Sequence, residues 1–233
     1  MAVFTLQLMY LRSGIVCMFF PAIVCTQSTE STGSWNVLNI RMPLENNWSA
    51  GAEAQVRSLQ FYNDFHYHEA KAWISKEWQK EYRLTLGAGH YDTYQAGGDF
   101  IRPANVRDFR VWPQFELLHP GRVWSFEHRY RAEFRFTNLG FRNRFRYRFA
   151  LSCKPVSIRA LRLQVSNELF FGTREPYFER NRISGTAQWA FSPQFSALVG
   201  YMYQFDYRIN DETGRDFLML GALFQIRPMR AKP

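Results

Sequence analysis

The chain has 233 residues and a formal net charge of +9, with 46% hydrophobic, 18% aromatic and 21% charged residues. That mixture excludes disorder and suits one large all-β domain. The cationic excess directs attention to anionic partners.

Residues 1–26 read as an export signal. Arg12 supplies the positive charge and Ser13–Val24 a short apolar core. That core is too short for a spanning helix of about 20 residues, and Pro21 interrupts it. Cleavage after Thr26 is preferred to cleavage after Cys25. A lipoprotein signal ending at Cys25 fits less well, because Val24 is bulky where a small residue is wanted. Cys17 and Cys25 then leave with the signal, and Cys153 alone cannot form an internal disulfide.

Residues 27–33 form a polar, flexible lead, residues 34–227 a barrel, and residues 228–233 a basic tail. Within the barrel, period-two alternation recurs almost without pause. Strands are expected over Ser34–Met42, Trp48–Leu59, His66–Trp78 and Tyr82–Tyr91. The unpatterned Asp92–Asn105 is expected as an extended loop. Val106–Leu118 follows, where Pro113 argues for an edge, a bulge or a lip position. Past the central hairpin come Leu161–Phe171, Arg180–Phe191, Phe195–Tyr207 and Phe217–Ile226.

The hairpin Arg122–Leu151 organises the rest. Its first strand sets Trp124, Phe126, His128, Tyr130, Ala132, Phe134 and Phe136 against Ser125, Glu127, Arg129, Arg131, Glu133 and Arg135. After the turn at Thr137–Gly140, Phe141, Phe145, Tyr147, Phe149 and Leu151 oppose Arg142, Arg144, Arg146 and Arg148. A 3.6-residue period would scatter these arginines around a helix. Direct pairing across the turn brings Arg135 to Arg142, Glu133 to Arg144 and Arg131 to Arg146. Two of those pairs repel, so the charged face needs water or further carboxylates.

Two media accept such a ribbon. In a membrane barrel the rings meet lipid and the arginines line a wet lumen. In a soluble periplasmic ligand-binding barrel the rings fill the core. Arginines turned to lipid are excluded, because each would cost roughly 2–4 kcal/mol near the midplane. On Phe195–Tyr207 the aromatics flank small Ala197 and Val199, as girdles at two interfaces require. The expected fold class is therefore an all-β, antiparallel up-and-down transmembrane β-barrel. The pattern yields about eleven strands, and the even-number habit of bacterial barrels moves the expectation to about twelve, with ten as the fallback.

Several segments together resemble the bacterial outer-membrane family called domain of unknown function 2490. They are W-x-x-L-x-I at Trp35–Ile40, AEAQVR at Ala52–Arg57 and LTLGAGHY at Leu84–Tyr91. FEHRYRAEFRF at Phe126–Phe136, RNRFRYR at Arg142–Arg148 and NELFF at Asn167–Phe171 complete the set. The resemblance implies an outer-membrane β-barrel and assigns no catalytic residues.

The charge ladder Glu127, Arg129, Arg131, Glu133, Arg135, Arg142, Arg144, Arg146 and Arg148 is the candidate site. As a track it would attract carboxylates or phosphates, since guanidinium forks bind both. As a brace it would be balanced by Glu53, Glu69, Glu77, Glu116 and Glu168 on neighbouring lumen faces. The corresponding functions are a narrow anion-preferring channel and a structural barrel with a closed lumen. Expected partners are outer-membrane lipid and small anions or acidic saccharides, not nucleic acid. No cofactor or enzyme activity is expected. His66 and His68 share a strand face but lack an obvious third metal ligand, and His90 and His128 fall on apolar faces.

Overall fold

A computed structural model describes residues 32–101, 103–207 and 213–226. The expected signal segment, most of the polar lead and the basic tail lie outside them. Eleven strands form one closed barrel: β1 (Gly33–Pro43), β2 (Trp48–Gln60), β3 (Asn63–Trp78), β4 (Tyr82–Thr93), β5 (Val106–His119), β6 (Trp124–Thr137), β7 (Gly140–Cys153), β8 (Leu161–Gly172), β9 (Phe178–Ala190), β10 (Phe195–Asp206) and β11 (Thr213–Gln225). Consecutive strands pair antiparallel. The closing pair, β1 with β11, is parallel, running from Gly33–Phe217 to Arg41–Gln225.

That pair explains the strand count. Closing an alternating ribbon with antiparallel pairs throughout requires an even number of strands, whereas an odd number leaves the first and last strands pointing the same way. The pattern-based count of eleven therefore stands among the described residues, and the parity argument for twelve does not. Strand ends differ from expectation where polar residues hide the alternation. β3 begins three residues early, at Asn63, beside a bulge between Arg57 and Ser58. β11 begins at Thr213 rather than Phe217.

Pro113 occupies neither an edge nor a lip. It lies within β5, opposite Leu86 of β4, and points outward. Its missing N–H coincides with an unbridged step between Val111–Phe134 and Gln114–Arg131 on the β6 side.

The faces settle which medium surrounds the barrel. Leu86, Val165, Val199, Phe145 and Tyr130 all lie exposed on the outside. Arg110, Arg131, Arg144 and Glu133 are buried inside. Ring pairs cluster on the outer wall, including Phe126–Phe149 and Tyr130–Tyr147 on the hairpin and Phe195–Phe224 near the β10 start. Rings outward and guanidinium groups inward make this a transmembrane β-barrel rather than a soluble one with an aromatic core.

Candidate functional site

Alternation along each strand sends every second residue into the lumen, so a run of R-x-R-x-R becomes a vertical row of guanidinium groups. The β6–β7 register brings Arg135 opposite Arg142, Glu133 opposite Arg144 and Arg131 opposite Arg146, as the turn length implied. Tight hairpin geometry fixes this register: only Asn138 and Leu139 separate the strands, and Gly140 takes φ +107°.

Glu133 is the hub. Arg144 donates to its Oε2 from Nε and Nη2 at 2.9 and 2.6 Å, and Arg146 Nη1 donates to Oε1 at 2.6 Å. Arg110 and Arg131 approach it at 3.6 and 3.8 Å. Four cations around one fully buried carboxylate explain how facing arginines coexist.

Glu168 on β8 forms a second hub, accepting from Arg129 at 2.5 Å and from Arg146 Nη2 at 2.8 Å. Asp108 on β5 forms a third, pairing with both Arg110 and Arg135 at 2.6 Å. Arg148 pairs with Glu127 at 2.5 Å.

Of the five carboxylates expected to balance the ladder, Glu168 makes direct ion pairs with it. Glu53 and Glu69 pair with Lys71, and Glu69 also with Arg57. Glu77 and Glu116 pair with Arg83. The missing balance comes from Asp108, which sequence reasoning passed over. Its even-numbered alternation with Arg110 places it on the lumen face, but reaching Arg135 depends on pairing with β6.

Aromatic rings also project inward. Arg57 lies over Trp35 at 3.4 Å and over Tyr67 at 4.0 Å, while Arg131 lies over Trp112 at 4.0 Å. Phe170 has Arg146 and Arg182 at 4.5 and 4.7 Å. Stacking on a ring holds a guanidinium extended while leaving its edges free to donate.

One cavity of about 910 Å³ occupies the lumen. Arg41, Arg162, Gln188 and Leu223 line it at the end carrying the β1–β2 and β9–β10 turns. His66, Val106, Arg142 and Thr213 line it at the opposite end. Sixteen Arg and Lys side chains face it against seven carboxylates. Eight ladder residues are among the lining, and Glu133 lies buried beneath them. Arg41, Arg142, Arg162 and Arg182 have no carboxylate within ion-pair distance among the described residues; Arg162 donates to Ser152 Oγ and Arg182 to Gln204 Oε1.

The histidines do not assemble into a metal-ligand set. His68 meets Tyr94 Oη at 3.1 Å, and His128 Nδ1 meets Tyr147 Oη at 2.9 Å on the outer face. Among the described residues no three His, Cys, Asp or Glu side chains come together as metal ligands.

The family model described as "Protein of unknown function (DUF2490)" matches residues 32–215. A search of curated proteins finds no match. Among solved structures, a NanC porin in a rhombohedral crystal form is similar at 11% identity and a TM-score of 0.49, covering 73% of this chain and 84% of that one. An anion-selective porin from Comamonas acidovorans is similar at 11% identity and a TM-score of 0.41, covering 78% of this chain and 53% of that one.

Proposed function

Because the chain belongs to the DUF2490 family, whose function is unknown, its role must be read from its own lumen, and we propose a narrow, anion-preferring channel of the outer membrane. The carrying observation is the lumen cavity, lined from one end of the barrel to the other by sixteen cationic side chains against seven carboxylates, with Glu133 and Asp108 buried behind them. A carboxylate or phosphate moving along it meets guanidinium forks at successive heights, each exchanging bidentate contacts with the next. The ion-paired arginines hold the wall in place and keep further N–H donors for a solute, while Arg41, Arg142, Arg162 and Arg182, without a carboxylate partner among the described residues, add the net attraction for the permeant ion. Small anions or acidic saccharides are the solutes this reading favours, with outer-membrane lipid around the barrel. No catalytic role is assigned: His128, the histidine of the ladder hairpin, is turned to the outer face and bonded to Tyr147.

The second reading, a braced barrel with a closed lumen, is favoured by Glu133, which is sealed beneath four arginines. Planar-bilayer recording separates the two. In a KCl gradient the channel gives a reversal potential on the chloride side. Arg142→Gln with Arg162→Gln moves that potential towards zero without removing an ion pair. Absence of current, or a cation-selective current, overturns the channel.

A further inference from the structure

The lumen wall is not charged all the way round. On the strands that close the barrel, β1, β11 and β10, a run of inward positions holds apolar side chains, flanked by Asn39 and Arg41 on β1, Gln204 and Asp206 on β10 and Arg215 on β11. Trp35, Met202 and Phe217 bury one another there, with the Trp35 and Phe217 rings edge to face at 5.5 Å. Val37, Leu198, Met219 and Leu223 extend the patch and line the cavity. By strand order this wall stands opposite the β5–β6 pair, which presents Arg110, Arg129, Arg131 and Arg135. Trp112 Nε1 on β5 adds a donor with no partner among the described residues, on a side chain only 2% exposed.

A path for hydrated inorganic ions gains nothing from an apolar wall, because such a wall supplies no dipole to replace the lost hydration. Nor does closure of the barrel demand one. Neighbouring β9 turns Ser184, Thr186 and Gln188 into the same cavity. What uses both walls at once is a solute with two unlike sides. The cavity of about 910 Å³ is ample for a compact organic molecule.

We propose that the preferred solutes are amphipathic carboxylates, each with a compact apolar body and one charged end. The apolar body follows the β1–β11–β10 wall while the carboxylate passes between guanidinium groups opposite. This rests on the anion-channel reading and narrows its substrate class.

The experiment compares benzoate with threonate, an all-hydroxyl carboxylate of equal charge and heavy-atom number. Bi-ionic reversal potentials against chloride are measured at neutral pH, with protein-free bilayers as the baseline. Contact of about 40 Å² of apolar surface with the wall gives benzoate about a fivefold permeability advantage. Val37→Asn shrinks that advantage, and Met219→Gln replaces it if the first variant does not insert. A chloride-selective current with equal benzoate and threonate permeability overturns the amphipathic assignment and leaves the anion channel standing. An advantage that survives both polar substitutions also overturns it. No chloride current in the unaltered protein overturns the channel reading, and this assignment falls with it.

Discussion

Glu133 and Arg144 sit opposite each other on β6 and β7, and the guanidinium donates to Glu133 Oε2 through both Nε and Nη2. Around this fork Arg110, Arg131 and Arg146 complete a cluster whose carboxylate has no exposed surface. The Glu133→Gln substitution keeps the shape but removes the negative charge beneath four cations. Breaking a buried pair in this way costs about 3–5 kcal/mol. Urea titration of the barrel in detergent is expected to show that loss. The half-buried Glu127–Arg148 pair is the comparison: Glu127→Gln should cost clearly less. Equal effects at the two positions would deny Glu133 its role as hub.

Lipid contact is tested on β10. Val199 lies half exposed on the outer wall between the rings of Phe195 and Tyr203. Val199→Arg places a charge near the midplane at a cost of about 2–4 kcal/mol. Gln188→Arg, on the neighbouring strand but facing the cavity, leaves the charge in water. The folded fraction in liposomes should fall for Val199→Arg and stay high for Gln188→Arg. Similar folded fractions would place the outer wall in water.

The hairpin was legible from sequence because alternation and a tight turn together fix both face and register. Arg131–Arg146 and Glu133–Arg144 follow from counting back from Asn138–Leu139. Other features depend on which strand neighbours which, and local alternation is silent there. Asp108 reaches Arg135 through the β5–β6 pairing. Phe170 points inward with Glu168, against the habit that sends rings to lipid, because guanidinium groups pack on its face. The apolar inner wall escaped notice for a related reason. On Phe217–Ile226 both faces are apolar, so the pattern carries no sign of which residues look inward.

Gly87 and Gly185 should respond very differently to the same added methyl group. The inward Gly87 faces Trp112 across the β4–β5 ladder, and a Cβ there would run into the indole. Gly185 has open space where its Cβ would lie. Gly87→Ala must displace Trp112 and the Arg131 guanidinium stacked on it, costing about 1–3 kcal/mol. Gly185→Ala should stay within about 0.5 kcal/mol of the unaltered protein. Thermal unfolding monitored by tryptophan emission reports both stability and the altered indole environment. An unperturbed Gly87→Ala barrel would mean the ring has room to spare.

Parallel closure makes the sharpest structural prediction, because a twelfth strand or an antiparallel seam would separate residues that now sit side by side. Leu38 of β1 and Ala222 of β11 are register partners. Leu38 is on the exposed outer wall, and paired neighbours share a face. With the native cysteines replaced by serine, Leu38→Cys combined with Ala222→Cys should oxidise to a disulfide, since paired strands lie within the usual Cα separation of about 4.4–6.8 Å. Leu38→Cys with Leu218→Cys is the control: four residues along the strand, about 13 Å, is too far to bridge. Gel mobility before and after reduction reads the result. Cross-linking of the first pair alone establishes β1 and β11 as neighbours with no strand between them, and cross-linking of Asn36→Cys with Leu220→Cys as well makes the seam parallel; failure of the first pair under conditions where the barrel is folded would reopen the closure of the sheet.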